Sequence, residues 1–138
     1  MSSAILSFPQ AYLDKKKDEF KAKYKERPNG CHIWTGAVSG KRGYYEGGSR
    51  YGAVKWTHPV SKDKIVLNAH VVSFYFSSGL LPCNVNHVDI SHRCHDTLCV
   101  NPEHLSREPH RVNLDRRKCR RVKSCHSHGD HPPCLFAE

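Results

Sequence analysis

The sequence SHRCHDTLCVNPEHL, from Ser91 to Leu105, decides the fold of this chain. It carries three metal-binding side chains with four residues between successive members: Cys94, Cys99 and His104. Three more cysteines follow downstream: Cys119, Cys125 and Cys134. The stretch from 94 to 134 therefore holds five of the seven cysteines. Thiols and imidazoles at such density are typical of zinc sites, which take four ligands in a tetrahedral arrangement.

The setting of these cysteines favours zinc over disulfides. Seven is an odd number, so a framework built only of disulfides leaves one thiol unpaired. The N-terminal sequence MSSAILSFPQAYLDKKK has no basic segment followed by an apolar stretch, so no signal peptide is expected. No apolar run approaches the length of a membrane span, and we expect no membrane partner. We expect an intracellular protein in a reducing compartment, nuclear if the organism is eukaryotic.

Two zinc sites account for six of the seven cysteines and leave Cys83 unused. The first site needs a fourth ligand from elsewhere, and Cys31 is the natural donor because it precedes a predicted strand and has no other role. The second site combines three cysteines with a histidine. Three histidines are candidates, of which we favour the first and then the second: His128, His131 and His126. Both sites are then closed, which is typical of structural zinc.

The chain is strongly basic, and its charge is concentrated near the predicted metal sites. The formal net charge is +9 and the pI is about 9.3. Such a balance favours a polyanionic partner, of which nucleic acid is the commonest, although basic residues also serve solubility. Seven basic residues lie between 111 and 123: Arg111, Arg116, Arg117, Lys118, Arg120, Arg121 and Lys123. Phosphate contact is the favoured interpretation of this run; a nuclear-import signal and a solvated face are the alternatives.

The remaining pattern predicts one small α+β domain over residues 1–138. Residues 1–8 are expected to be a loose leader, followed by a helix over 9–27. A strand over 65–67 runs into a helix over 69–78, and a strand from residue 86 leads into His92. A helix over 106–118 carries Asn113. Only 38% of residues are hydrophobic, so we expect metal to stabilise a lean core.

With these residues in place, the stretch from His92 to Cys119 resembles the His-Cys box of homing endonucleases, in the ββα-metal (His-Me finger) nuclease superfamily. The resemblance extends from Cys31 to Cys134 and matches both zinc ligand sets. It implies a ββα-metal fold with an antiparallel sheet, His92 at the end of a strand as general base, and Asn113 on the next helix as ligand of a catalytic metal. It also implies an arginine that holds the scissile phosphate, and Arg50 is the first candidate, ahead of Lys55.

The chemistry of the two unassigned residues agrees with that resemblance. A neutral imidazole titrates near working pH, so His92 can accept a proton from water. The carbonyl oxygen of Asn113 suits one Mg²⁺, for which Mn²⁺ or Ca²⁺ can substitute in binding. His110, three residues earlier on the helix, is a further candidate for lining this site.

The sequence thus predicts a metal-dependent DNA endonuclease, and the resemblance implies that it leaves 5′-phosphate and 3′-hydroxyl ends. Its partner is expected to be double-stranded DNA, and a homodimer is conceivable. Six residues are the candidates for DNA contact: Lys55, Arg111, Arg116, Arg117, Arg120 and Arg121. The alternative is a zinc-stabilised DNA-binding module on the same scaffold that does not cut.

Overall fold

The computed structural model describes residues 2–38, 51–83 and 85–136. A 3-10 helix, Ser2–Ser7, opens the chain, and a second, Pro102–His104, precedes the last strand. The other elements are, in order: α1 (Gln10–Lys21), β1 (Tyr24–Glu26), β2 (His32–Trp34), β3 (Ala53–Thr57), β4 (Lys64–Asn68), α2 (Ala69–Ser78), β5 (Val88–His92), β6 (Leu105–Pro109) and α3 (His110–Val122). This mixture of helices and strands confirms the predicted α+β class.

The described strands form antiparallel pairs. β1 pairs with β2, β3 with β4, and β5 with β6. In the third pair Val88 lies opposite Pro109 and His92 lies opposite Leu105. Helix α3 follows β6 directly and packs on both strands of that hairpin, while α2 contacts β5. Consecutive β5, β6 and α3 thus form a ββα unit.

An aromatic core holds the N-terminal half together. Phe20 and Trp34 lie 4.8 Å apart between ring centroids, and Phe8 meets Trp56 edge to face at 5.6 Å. Edge-to-face and tilted arrangements are those that aromatic rings prefer. A smaller cluster of Val71, Ile90 and Leu105 lies between α2 and the β5–β6 hairpin. Because Ile90 belongs to this second cluster, β5, the strand that ends at His92, is packed against α2.

The expectation of a loose leader over residues 1–8 is wrong. Ser2–Ser7 is a 3-10 helix, Ile5 is fully buried and Phe8 is buried beside it. The physical reason is apolar burial, because Ile5 and Phe8 join the aromatic core, where Phe8 packs against Tyr12 and Trp56. The segment therefore belongs to the folded unit.

Two predicted helices have different boundaries in the structure. The helix predicted over 9–27 ends at Lys21, because Tyr24–Glu26 pairs with His32–Trp34 as a strand instead. The helix predicted over 106–118 begins at His110 and extends to Val122, because Leu105–Pro109 pairs with β5. Cross-strand pairing overrides local helix preference in both cases.

Other sequence predictions are confirmed. The strand predicted over 65–67 lies within β4, and α2 has the predicted bounds of 69–78. Gly79 ends α2 with φ of 76°, a left-handed conformation that glycine adopts without steric cost. His92 ends β5 and Asn113 lies on α3, as the resemblance implies. Among the described residues, no helix combines the length and the apolar character needed to cross a membrane.

The buried N-terminal segment leads to a stability prediction. Ile5→Ala should lower the free energy of unfolding by about 2–5 kcal/mol, because it removes buried methyl groups and leaves a cavity. Its neighbour Leu6 is 63% exposed, so Leu6→Ala is the matched control, with an expected effect within about 0.5 kcal/mol. Urea denaturation of the zinc-loaded proteins measures both values. Equal effects of the two substitutions would contradict the assignment of Ile5 to the core.

Candidate active site and metal centres

The first zinc ligand set assembles from two distant parts of the chain. Strand β2 lies beside residues 98–100, since Trp34 N donates to Leu98 O and Val100 N donates to His32 O. This pairing brings together four residues whose ligand atoms all lie within 4.8 Å of one another: Cys31, Cys94, Cys99 and His104. The structure therefore groups the residues that the sequence predicts, including the remote Cys31.

The distances in this first set suit zinc. His104 Nδ1 lies 3.5 Å from Cys31 Sγ and 3.6 Å from Cys99 Sγ. In a tetrahedral site with ligand distances of about 2.0–2.3 Å, neighbouring ligand atoms lie about 3.3–3.8 Å apart. All seven cysteines lie among the described residues and all are free thiols. The group can therefore hold zinc.

In the first set, ionisation of one thiol opposes ionisation of its neighbours. A hydrogen bond from Cys94 lowers the pKa of Cys99 to about 5, and the same bond raises the pKa of Cys94. Burial and the charge of Cys99 raise the pKa of Cys31 to about 11. One thiolate thus forms at the expense of its neighbours. A divalent cation removes this conflict, because it stabilises several thiolates at once.

The second ligand set lies where α3 meets the C-terminal loop. The ligand atoms of four residues lie within 4.8 Å of one another: Cys119, Cys125, His128 and Cys134. His128 Nε2 is 3.3 Å from Cys134 Sγ and 3.6 Å from Cys119 Sγ, again the spacing of a tetrahedral site. The structure therefore groups the favoured His128, and not His131, with the three cysteines. Two Cys3His groups can hold structural zinc.

Asp115 is a part of the second site that sequence analysis missed. Its Oδ2 lies 3.1 Å from His128 Nδ1 and 2.8 Å from His126 Nε2. These hydrogen bonds, with that to His126 the stronger influence, lower the pKa of Asp115. A carboxylate on the far nitrogen of a ligating histidine fixes its ring orientation and tautomer. The available sequence signal was the i, i+4 spacing from Asp115 to Cys119 on one face of α3.

His126 occupies a different position from His128. Its Nδ1 lies 3.1 Å from Cys119 Sγ, and its side chain is 46% exposed. His128 is buried and reaches two cysteines, whereas His126 bridges Cys119 to Asp115 at the rim. His128 is therefore the histidine whose position suits the fourth ligand of the second set, whereas His126 lies outside that set.

The prediction that Arg116 contacts phosphate is corrected by its burial. Only 1% of Arg116 is exposed, and its Nε and Nη2 donate to the two carboxylate oxygens of Glu108 at 2.6 and 2.8 Å. It also donates to Cys134 Sγ at 3.3 Å and to Pro132 O at 2.7 Å. A guanidinium with these partners is not available to DNA. The other predicted arginines of α3 are exposed: Arg111, Arg117, Arg120 and Arg121.

The Glu108 carboxylate is ionised inside the protein. Burial by itself raises the pKa of Glu108, but the hydrogen bonds from Arg116 outweigh it and hold the pKa below its ordinary value. The pair joins β6 to α3, and the bonds to Pro132 and Cys134 extend it to the second ligand set. Arg116 also places a positive charge beside a thiol-rich site, which favours thiolates there.

His92 lies at the end of β5 in a buried aromatic setting. Its ring centroid is 4.3 Å from that of His70 and 5.8 Å from that of Tyr51. Burial, and next the proximity of His70, lower the pKa of His92 well below its ordinary value, although a hydrogen bond to the Cys99 backbone opposes this. His92 Nε2 is buried without a hydrogen-bond partner among the described residues. The ring is thus neutral.

Asn113 lies on the first turn of α3 and contacts Asp89 of β5. Its Nδ2 donates to Asp89 Oδ2 at 3.1 Å, and His110 Nδ1 lies 2.5 Å from the same oxygen. A carboxylate only accepts hydrogen bonds, so the amide nitrogen must face it, and the Oδ1 of Asn113 faces elsewhere. That oxygen is the type of ligand that Mg²⁺ takes from proteins. The donor chemistry of Asn113 therefore fits the predicted metal.

The two candidates for holding the scissile phosphate, Arg50 and Lys55, differ in whether the structure describes them. Arg50 lies outside the described residues. Its neighbour in sequence, Tyr51, stacks near both His92 and His70, with centroid distances of 5.8 and 5.4 Å. Lys55 is exposed on β3. His70 and Asp89 were not singled out from sequence, since a lone histidine at the start of an apolar helix and a lone aspartate in a strand carry no motif.

Comparison with family models now gives the class of protein. Residues 40–135 match the model described as the zinc-binding loop region of homing endonuclease. This match spans more than half of the chain and includes both predicted ligand sets apart from Cys31. The chain therefore belongs to this family of His-Cys box, homing endonuclease-like proteins. No curated protein and no solved structure matches it.

The ligand sets predict two zinc ions per chain, which native mass spectrometry of the purified protein can count. Cys99→Ser should lose one of them, because it removes a buried thiolate from the first set. Cys83 belongs to neither group, so Cys83→Ser is the matched control and should retain both ions. Fewer than two zinc ions in the unmodified chain would refute the ligand count.

The buried ion pair predicts a large effect of Arg116→Met. Loss of the guanidinium leaves Glu108 charged and buried, which should lower the free energy of unfolding by about 3–5 kcal/mol. Replacing both partners, as in Glu108→Leu with Arg116→Met, should recover part of that loss. Arg117→Met, at the exposed next position, is the control. Urea denaturation of zinc-loaded proteins provides the comparison, and a loss below about 1 kcal/mol in Arg116→Met contradicts the assigned role.

Proposed function

We propose that this protein is a divalent-metal-dependent DNA endonuclease in which His92 is the general base and Asn113 is the protein ligand of one Mg²⁺-type ion. The observation that carries this proposal is the buried Nε2 of a neutral His92, which has no hydrogen-bond partner within the part of the chain that the structure describes. His92 lies two residues before Cys94 but does not belong to the first group of candidate zinc ligands. A buried polar atom without a partner is costly in a structural role and demands an explanation. Family membership supports the same conclusion.

His92 has the protonation state that a base requires. Because burial lowers its pKa, the ring is neutral at neutral pH, so one of its two nitrogens carries no proton and can accept one. This nitrogen takes the proton of a water molecule as the water attacks phosphorus. The surrounding rings of His70 and Tyr51 keep the imidazole in one orientation.

Asn113 provides the protein's contact to the metal through its Oδ1. A divalent ion bound there would neutralise charge on the scissile phosphate and on the departing 3′ oxygen. Asn113 is half-buried at the start of α3, and the helix N-terminus adds a partial positive charge near the phosphate. Cleavage of the bond to the 3′ oxygen leaves 5′-phosphate and 3′-hydroxyl ends.

Basic residues supply the attraction to double-stranded DNA. The four exposed arginines of α3 lie on the helix that carries Asn113, so their charge is next to the proposed site. Lys55 and Arg50 remain the candidates for contacts from the β3 side, with Arg50 proposed to hold the scissile phosphate. Such contacts fix the position of the duplex and do not by themselves read sequence.

One observation favours a second candidate function. His92 is only 9% exposed, so water and phosphate have limited access to its ring. A zinc-stabilised DNA-binding module that does not cut is consistent with that burial and with the same basic surface. The two functions make different predictions for His92 and Asn113. A nuclease needs both side chains for DNA cleavage, whereas a binding module needs them at most for stability.

A supercoiled plasmid separates the two functions. The zinc-loaded protein should nick it in Mg²⁺ or Mn²⁺, and His92→Ala should reduce the rate by about 10²- to 10⁴-fold, because it removes the general base. Asn113→Ala should give a comparable loss. His131→Ala is the matched control, since His131 lies outside both ligand groups. Plasmid binding without nicking by the unmodified protein would establish the binding module instead, and full activity of His92→Ala would refute the mechanism.

A further inference from the structure

Asp89 is the one acidic side chain that contacts Asn113 among the described residues. It lies on β5, three residues before His92, with its side chain 32% exposed. Its Oδ2 accepts from Asn113 Nδ2 at 3.1 Å and lies 2.5 Å from His110 Nδ1. Neither zinc group includes it. Its two partners are therefore a proposed metal ligand and the residue one helical turn before that ligand.

We propose that Asp89 is a positioning residue that holds the side-chain amide of Asn113 in a single orientation, with Oδ1 presented to the divalent ion. This inference rests on the proposed function, because it concerns how that metal ligand is prepared. In this proposal Asp89 does not contact the ion. Its action is exerted through the hydrogen bond to Asn113 Nδ2.

The argument starts from the two ends of the amide group. An asparagine side chain has a donor end and an acceptor end of nearly the same shape, so a flip of the amide exchanges them. A carboxylate accepts hydrogen bonds and does not donate them, so the flipped amide would set oxygen against oxygen. Asp89 therefore selects the orientation in which the nitrogen of Asn113 faces β5. The oxygen is then available on the other side.

His110 keeps the Asp89 carboxylate itself in place. His110 and Asn113 are three positions apart and lie on the same face of α3. Both reach the same Oδ2, so the carboxylate is held from two positions of one helix turn. A group that orients a metal ligand is effective only when it is itself fixed. The three side chains form such a fixed arrangement across the β5–α3 contact.

Asp89 also acts electrostatically on a histidine that packs against the proposed base. Burial lowers the pKa of His70 to about 4, while a hydrogen bond with the Ile90 backbone and the charge of Asp89 oppose that shift. His70 is thus within electrostatic reach of Asp89, and its ring lies against that of His92. A chain of contacts and charge links Asn113, Asp89, His70 and His92. The positioned amide oxygen therefore belongs to the same region of the molecule as the base.

Two substitutions separate a positioning role from a role of the charge itself. Asp89→Asn removes the charge but retains an oxygen that can accept from Asn113 Nδ2, and donation from His110 Nδ1 to the same oxygen keeps the new amide in that orientation. Asp89→Leu has a similar size but provides no acceptor. If Asp89 acts by positioning, Asp89→Asn should keep the metal affinity within about threefold, and Asp89→Leu should weaken it by about 10- to 100-fold. Asp18→Leu, an exposed position on α1, is the matched control.

The measurement is Mn²⁺ binding by the full zinc-loaded chain on a DNA duplex, read from the electron paramagnetic resonance signal of free Mn²⁺. Asn113→Ala on the same duplex defines the binding that does not involve the site. Zinc content and the urea midpoint of each variant show that it is folded. Plasmid nicking at varied Mn²⁺ gives a second reading, in which Asp89→Leu should need more metal but approach the original rate at saturation.

The outcomes distinguish this inference from the proposed function. Asp89→Leu with unchanged Mn²⁺ affinity, while Asn113→Ala loses it, overturns the positioning role and leaves the nuclease proposal intact. Asp89→Asn as weak as Asp89→Leu also overturns it, because the charge and not the hydrogen bond then matters. An unmodified chain that binds no more Mn²⁺ than Asn113→Ala overturns both proposals together.

Discussion

The buried pair of Glu108 and Arg116 is the interaction on which the rest of the ββα unit depends. Both side chains are almost fully inaccessible, so neither charge is solvated by water. Burial of two charges is tolerable only when geometry is good and every remaining donor has a partner. Here the guanidinium also reaches Pro132 and Cys134. The pair and the further hydrogen bonds of Arg116 therefore connect β6, α3 and the C-terminal loop.

Arg93 connects the two metal loops in a similar way at the other end of β5. Its guanidinium donates to Glu103 O, beside His104 of the first ligand set, and to Pro133 O, beside Cys134 of the second. Its own carbonyl accepts from Leu135 N at 2.7 Å. The two loops are thereby held against each other around the residue that follows His92. A chain with only 38% hydrophobic residues thus uses polar contacts to join loops where apolar burial is limited.

The sequence predicted those features that depend on residue type and spacing. The ligand sets, with Cys31 and His128, and the placement of His92 on a strand followed the pattern of thiols and imidazoles. Arg116 could not be separated from the exposed arginines of its run, because only its contact with Glu108 across the fold distinguishes it. The roles of Asp89 and Asp115 likewise depend on contacts between elements. Helix boundaries were missed where strand pairing overrode local preference.

Cys99 connects the first ligand set with the proposed chemistry at His92. Its side chain belongs to the first ligand set, and its backbone holds the ring of His92 through a hydrogen bond. The loop that carries a thiol of the candidate zinc site therefore also contacts the proposed base. In the proposed function, a zinc ion held by these ligands would order that loop and, through it, would help to orient a base that the ion does not touch.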